Sequence, residues 1–381
     1  MSILKKLAPA FMVLLVFVSS LMTACIMTFQ KSDIPSEDVL PVIATADTAE
    51  DTQRHVFHSG ALKGVWIPYF AVSDGEPLGE YEFMRRYDEL LDTVAANGIN
   101  AVFVHVRAHC DAAYMSEIFP PMDIYKMHET IREYDPLKYM VEAAHNRGIE
   151  FHAWINPYRI DTLDEAKNNI AVTQYLSSSD IIEYDGMAYI DPESERGRKL
   201  ITEGAAEIAR NYDVDGIHMD DYFYPYVEDD AENTEDCGES LTLRQWRCEN
   251  VNRLVKELYD TVKSIDSEML FGVSPQGNYE NDLEIGADVC AWCEGGYVDY
   301  IAPQIYFNSE NPVCPFEETA NFWCDMAHTT GVKIYPGLAL YKVGTDADGG
   351  TWYSDGIIES QEKYLQNKSD GVILYSVEEL Y

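Results

Sequence analysis

The chain has 381 residues, enough for one large α/β domain or two ordinary ones, and its 46% apolar content is that of a globular protein. With 66 acidic against 27 basic residues it carries a formal charge of −39, a field that opposes contact with a phosphate backbone and argues against nucleic acid as a partner. Beyond that exclusion, the acidity reads simply as solubility.

Residues 1–24 read as a signal peptide. Lys5 and Lys6 open it, an apolar core runs from Leu7 through Met22, and the small residues Thr23 and Ala24 precede Cys25. Met22-Thr23-Ala24-Cys25 resembles a bacterial lipobox, with Met22 where leucine is commoner; the resemblance implies cleavage before Cys25 and lipidation of that cysteine. An uncleaved anchor is the alternative, since the apolar run is slightly short for a span of about 20 residues. Either way the remainder is expected outside the cytoplasm, anchored to the bacterial cell membrane. Residues 25–59 mix Ser, Asp, Glu, Thr and Pro without periodicity and read as a flexible tether, leaving 60–381 as the folded domain. Cys237 with Cys248 and Cys314 with Cys324 are candidate disulfides, with buried free thiols the alternative. Cys290-Ala-Trp-Cys293 is a lone pair without a second ligand set at zinc spacing.

From Gly60 onward short apolar runs alternate with longer amphipathic segments, the pattern of βα units. Strand one spans Gly64 to Tyr69, and a helix from about Glu80 to Asn97 follows, stopped by Gly98. Strand two is Ala101–Val106; after a long loop Asp135 caps and Pro136 opens a second helix, ending at Gly148. Strand three is Glu150–Pro157, and a long irregular stretch leads to a helix from about Arg198 to Asn211. Strand four is the run Val214-Asp215-Gly216-Ile217-His218-Met219, ending in Asp220 and Asp221. A helix from about Leu243 to Ser264 precedes strand five (Leu270–Pro275), strand six (Tyr300–Tyr306), strand seven (Lys333–Leu340) and strand eight (Gly371–Ser376). Eight such runs predict an α/β fold, a (β/α)₈ TIM barrel, with a regular final helix absent or replaced by N-terminal residues.

In such a barrel the residues just past each strand share one rim, where chemistry sits. Here that rim mixes aromatics with amides, carboxylates and arginines, which suits sugars: C–H faces stack on rings while hydroxyls need fixed polar partners. The candidate substrate-binding residues are Trp66, Tyr69, His105, Arg107, Trp154, Asn156, Tyr158, Arg159, His218, Tyr222, Gln304 and Tyr306. Glycosidic hydrolysis usually needs two carboxyl groups. Strand alternation puts Asp220 on the inward face with His218, making it first choice for nucleophile or base; Asp221 is its neighbour, with bracing of the Tyr222–Pro225 loop as its other role. Asp111, Glu280, Asp282 and Glu378 are the candidates for the acid. His105, His109, His152 and His218 would have to converge for a metal-dependent hydrolase, but strand one lacks a paired-His motif and has Trp66 instead, so no metal and no cofactor is expected.

Several long motifs resemble the glycosyl-hydrolase-like family 10 barrels: Gly64-Val65-Trp66, Tyr134 through Leu137, Ala144 through Arg159, Asn211 through Pro225, and Val298 through Tyr306. The resemblance implies a TIM-barrel glycoside hydrolase exported by bacteria, often as a lipoprotein, with members associated with cleaving peptidoglycan glycan strands, particularly ones stripped of peptides. Separately, Asp215-Gly216-Ile217-His218-Met219-Asp220 is similar to the strand-four motif of alpha-amylase-type barrels, with His218 in place of arginine; that similarity implies a nucleophile at Asp220. The expectation is an extracytoplasmic, lipid-anchored hydrolase of cell-wall glycan or a related polysaccharide. A non-catalytic glycan-binding lipoprotein on a degenerate barrel is the alternative.

Overall fold

The apolar runs do form one parallel sheet. The computed structural model describes residues 60–73, 77–123, 134–225, 241–354 and 356–381; the signal peptide, Cys25, the tether over 25–59 and Cys237 lie outside these residues. Strands β1 (Leu62–Ile67), β2 (Ala101–Arg107) and β3 (Glu150–Ile155) are followed by an inserted sheet of β4 (Arg159–Thr162), β5 (Ile181–Tyr184) and β6 (Met187–Ile190). Then come β7 (Gly216–Met219), β8 (Leu270–Val273), β9 (Tyr300–Ile301), β10 (Lys333–Ile334), β11 (Gly337–Ala339) and β12 (Gly371–Tyr375). The main sheet runs β10-β9-β8-β7-β3-β2-β1-β12-β11, with every pairing parallel. Its two ends, β10 and β11, are pieces of one chain segment separated only by Tyr335 and Pro336, and Gln304 beyond β9 bridges Gly337 in β11. The sheet therefore closes as an eight-stranded barrel. Its seventh strand, a single run in the sequence reading, is interrupted where proline has no N–H for the ladder.

The crossovers carry α1 (Glu80–Ala96), α2 (Pro136–His145), α3 (Glu195–Asn211), α4 (Leu243–Ile265), α5 (Tyr279–Glu284), α6 (Val289–Gly295), α7 (Phe316–Thr330) and α8 (Ile357–Leu365). Short polar side chains start several of them: Asp135 accepts from Lys138 N, Ser194 from Gly197 N, and Thr242 forms a capping box with Gln245. After β12 the chain makes a 3₁₀ turn, Val377–Leu380. The stretch between residues 158 and 197, irregular in the sequence reading, holds the antiparallel sheet β4-β6-β5. Its β5–β6 hairpin turns on Asp185 (φ 47°) and Gly186 (φ 78°), so the Asp-Gly pair is the legible signal for it. Cys314 and Cys324 are both free thiols, so that candidate disulfide is not formed; Cys248, Cys290 and Cys293 are free as well, and Cys237, the partner proposed for Cys248, lies outside the described residues.

The amino-terminal end of the barrel is laced by four side chains, each standing just before a strand. Asn100, Asp215, Asp299 and Asp370 accept the backbone N–H of Lys63, Phe151, Phe271 and Ile334 at 2.8, 2.6, 2.8 and 3.0 Å. Each also donates its own backbone N–H to the carbonyl of that same residue, at 2.9, 2.8, 2.8 and 3.0 Å. Two bonds per junction fix the stagger between neighbouring strands where the ladder begins. The aspartate that opens the strand-four motif is thus structural: Asp215 is fully buried and also holds His145 Nε2 of α2 at 2.8 Å. Asn100→Ala should lower stability by about 1 kcal/mol, read as a reduced urea midpoint with unchanged slope.

Inside the barrel large rings pass over glycines. A Cβ on Gly272 would lie 2.2 Å from the Tyr300 ring, and one on Gly216 would lie 2.4 Å from His152 Nδ1. Only glycine at these two inward positions lets the tyrosine and histidine cross the interior beneath the mouth.

Candidate active site at the barrel mouth

Alternation along β7 turns His218 inward and carries the next inward residue, Asp220, to the mouth. His218 is fully buried, and its Nε2 accepts from Trp66 Nε1 at 3.1 Å. An indole N–H only donates, so the neutral ring keeps its proton on Nδ1 and donates it to the Tyr300 hydroxyl oxygen at 3.0 Å. The Tyr300 O–H then donates to His152 Nδ1 (3.0 Å), and His152 Nε2–H donates to Glu150 (3.0 Å). Burial holds His218 well below the usual histidine range and Tyr300 well above the usual tyrosine range, so both stay neutral. Every donor in the chain faces the same way, from Trp66 on β1 to Glu150 at the start of β3, and this chain is the floor of the site.

Above it, Asp220 is 3% exposed. Its Oδ2 accepts from Trp154 Nε1 at 2.9 Å and its Oδ1 from the Tyr222 backbone N–H at 3.4 Å. Trp154 is itself held by His105, stacked flat on it with ring centres 3.9 Å apart. Burial, and after it the charge of Asp221, pushes the Asp220 carboxyl up to about 8, against the opposing pull of Trp154, the Tyr222 N–H and Arg159. Both effects favour the protonated form of Asp220 at neutral pH. Asp221 is also raised by burial, but the side chains of Gln304 and Gln276 donate to it and favour its charged form; Gln304 Nε2 lies 2.8 Å away. The alternation that separates the two aspartates on paper ends with β7 at Met219, so Asp221 is free to turn back over the mouth toward β9's continuation. Around the pair, the Arg159 guanidinium lies 5.3 Å over the Tyr222 ring, while Tyr306, Tyr341 and Tyr375 meet one another at 5.7–5.8 Å.

The structure brings Asp220, Asp221, Tyr69, His105, Trp154, Asn156, Arg159, Tyr222, Gln304 and Tyr306 to the mouth or one contact from it. Six predicted residues stand elsewhere. Trp66 and His218 belong to the floor, with the hydrogen bonds given above. Arg107 shares strand parity with His105, but the β2–β3 register shifts between these two residues, and the bulge turns Arg107 outward. There it lies 4.9 Å from the Phe119 ring, against Gly204 of α3. Tyr158 is completely buried behind β4, its carbonyl bound by Ile190 N. Asp111 lines a cavity of about 370 Å³ that Tyr69 and Asp161 also border, accepting from His109 N and pushed up to about 7 by burial. Glu280 is exposed on α5 and paired with Arg244 at 3.2 Å. Of the other acid candidates, Glu378 is exposed on the terminal turn, whereas Asp282 is fully buried, within reach of the charge of Asp221, and accepts from Gln276 N at 2.9 Å. The four histidines do not share a centre: His105 stacks on Trp154, His109 borders the outer cavity, and Tyr300 separates His152 from His218. Tyr300 is the residue the sequence reading overlooks; its parity with Ala302 and Gln304 on strand six is the signal that places it inside.

A parallel barrel with paired carboxyls at a strand end, ringed by aromatics and amides, is the framework of glycoside hydrolases. The chain belongs to the Glycosyl hydrolase-like 10 family, which it matches over residues 61–355. It is 32% identical to glycosyl hydrolase YngK of Bacillus subtilis over 317 residues, covering 75% of this chain but only 62% of that relative. Glycosyl hydrolase DigH of Escherichia coli O6:H1 is 30% identical over 401 aligned positions, covering 95% of this chain and 90% of the relative. Among solved structures, the glycoside hydrolase domain of PgaB (BpsB) from Bordetella bronchiseptica superposes with a TM-score of 0.59 at 12% identity, covering 84% of this chain and 95% of that one. The β-galactosidase from Bacillus circulans sp. alkalophilus gives 0.55 at 12% identity, covering 83% and 50%. These two likenesses concern the fold.

Proposed function

We propose that the protein is a glycoside hydrolase in which Asp220 donates a proton to the glycosidic oxygen and Asp221 carries the negative charge that general-base or cation-stabilising work requires. The observation that carries this is the environment of Asp220: buried at the mouth, held by Trp154 and beside a second carboxyl, so that burial and the neighbouring charge favour its protonated form. The acid role departs from the nucleophile or base expected of Asp220, because burial and a like charge next door keep the proton on it. As the bond breaks, the leaving sugar takes that proton, and water adds to the anomeric carbon, returning a proton to the pair.

The substrate in this reading is cell-wall glycan, peptidoglycan strands in particular, as the family resemblance implies. The enzyme works outside the cytoplasm, lipidated at Cys25 and tethered by residues 25–59. Mass spectrometry of products released from peptide-free and intact sacculi tests it: saccharide fragments from peptide-free strands are expected, and their absence from both preparations would overturn the assignment. A glycan-binding protein without catalysis would instead bind sacculi saturably and release nothing. The rate should follow a bell-shaped pH profile, falling above about 8 as Asp220 loses its proton and falling on the acid side as Asp221 gains one.

A further inference from the structure

Two residues past Tyr306, Asn308 borders a second cavity of about 230 Å³, closed by Phe316 and Tyr364 on one side and by Thr351 and the first turns of α8 on the other. Gln361 of α8 lines it and is 4% exposed. Its Nε2 donates to the Phe307 carbonyl at 2.9 Å, which fixes the orientation of the amide, and its Oε1 is left without a donor. A buried acceptor in that state invites a hydroxyl or N–H from a ligand. Donors are present too: α8 begins at Gly356, whose φ of 78° suits glycine and which has no side chain to cap the free N–H groups of the first turn. The rings of Phe316 and Tyr364 meet edge-on at 6.0 Å and supply an apolar wall.

Charge narrows the ligand. Glu310 and Glu317 line the cavity and, among the described residues, no basic side chain does, so an anionic sugar is disfavoured and a neutral or amino sugar fits. The volume lies below the roughly 300–1,000 Å³ of ordinary small-molecule pockets, the scale of one ring rather than several. Its place completes the case: Asn308 and Thr351 belong to loops that follow β9 and β11, at the same carboxyl-end rim as Asp220. Phe307, which Gln361 grips, adjoins Tyr306 of the rim aromatics.

We infer that this cavity is an outlying saccharide subsite, which holds one neutral or amino sugar ring of a chain whose middle lies across Asp220. The inference rests on the glycan reading of the mouth for the identity of that chain. It makes longer chains better ligands, and it sits on α8, away from the catalytic pair.

Binding of the hexamers of N-acetylglucosamine and of glucosamine, and of a hexameric galacturonate, is measured by titration calorimetry on the full chain. Two variants accompany the parent protein: Ser360→Trp, which covers the opening from an exposed helix position, and Gln361→Leu, which removes the acceptor. At least one of the first two hexamers should bind the parent protein, with affinity lowered about tenfold in both variants, while dimers bind parent and variants alike and the galacturonate does not bind. Unchanged hexamer affinity in folded Ser360→Trp overturns the subsite, as does tight galacturonate binding or failure of both sugar hexamers to bind the parent. Length-dependent binding lost in Ser360→Trp, without any hydrolysis by the parent, supports the subsite and sinks the catalytic reading instead.

Discussion

Asp220→Asn should lower hydrolysis by about 10²–10⁴-fold, the usual contribution of a positioned proton donor, while the protein folds normally. Asparagine keeps an oxygen for the Trp154 N–H at nearly the same place, so the local packing survives and only the transferable proton is lost. The same substitution should raise stability. A carboxyl whose folded-state value stands at about 8 against about 3.9 in an unfolded chain contributes stability that is full below the unfolded value and is lost as pH rises through the folded one. The asparagine variant has no such loss, so its advantage in Tm should grow between about pH 4 and pH 8. Rates of reducing-end release and thermal scans at several pH values separate the two effects. Near-normal turnover in a folded variant removes Asp220 from the mechanism; a Tm difference that does not change with pH removes the strained carboxyl.

That strain also explains how much of the site was readable. A carboxylate pair at the end of an apolar run is visible in any one-dimensional reading, because nothing about packing calls for two charges there. Parity then locates His105, Trp154, His218 and Asp220 on one face, and the strand-to-strand register joins the first three in a row. What parity cannot convey is the bulge that turns Arg107 away from His105, or the end of the ladder that frees Asp221 to reach Gln304. Glu280 and Asp282 are two residues apart in sequence, yet about half a turn of α5 leaves the first in solvent and buries the second, close enough to Asp221 to feel its charge. The role of Asp220 was open to reversal for a similar reason: residue type permits nucleophile, base or acid, and only burial together with the neighbouring charge decides which proton state it holds.

The floor of the site yields the other large effect, this time on stability. Tyr300→Phe should cost about 2–5 kcal/mol, because one hydroxyl serves two histidines. Its removal leaves the His218 Nδ1–H without an acceptor and His152 Nδ1 without a donor, both in the barrel interior where water has no ready access. The ring itself remains and still fills the space over Gly272, so the loss measures polar satisfaction rather than a cavity. A urea titration should show a lowered midpoint at unchanged slope. The direction of the chain sharpens the test. His218 cannot recover by switching tautomer, since its Nε2 is already committed to the Trp66 N–H, and His152 is committed to Glu150 in the same way. A compensating change must therefore supply a group that both accepts and donates at the position of the lost oxygen. If Tyr300→Phe leaves stability within about 0.5 kcal/mol, the chain is not what holds the floor, and the barrel interior must be held by ring packing alone.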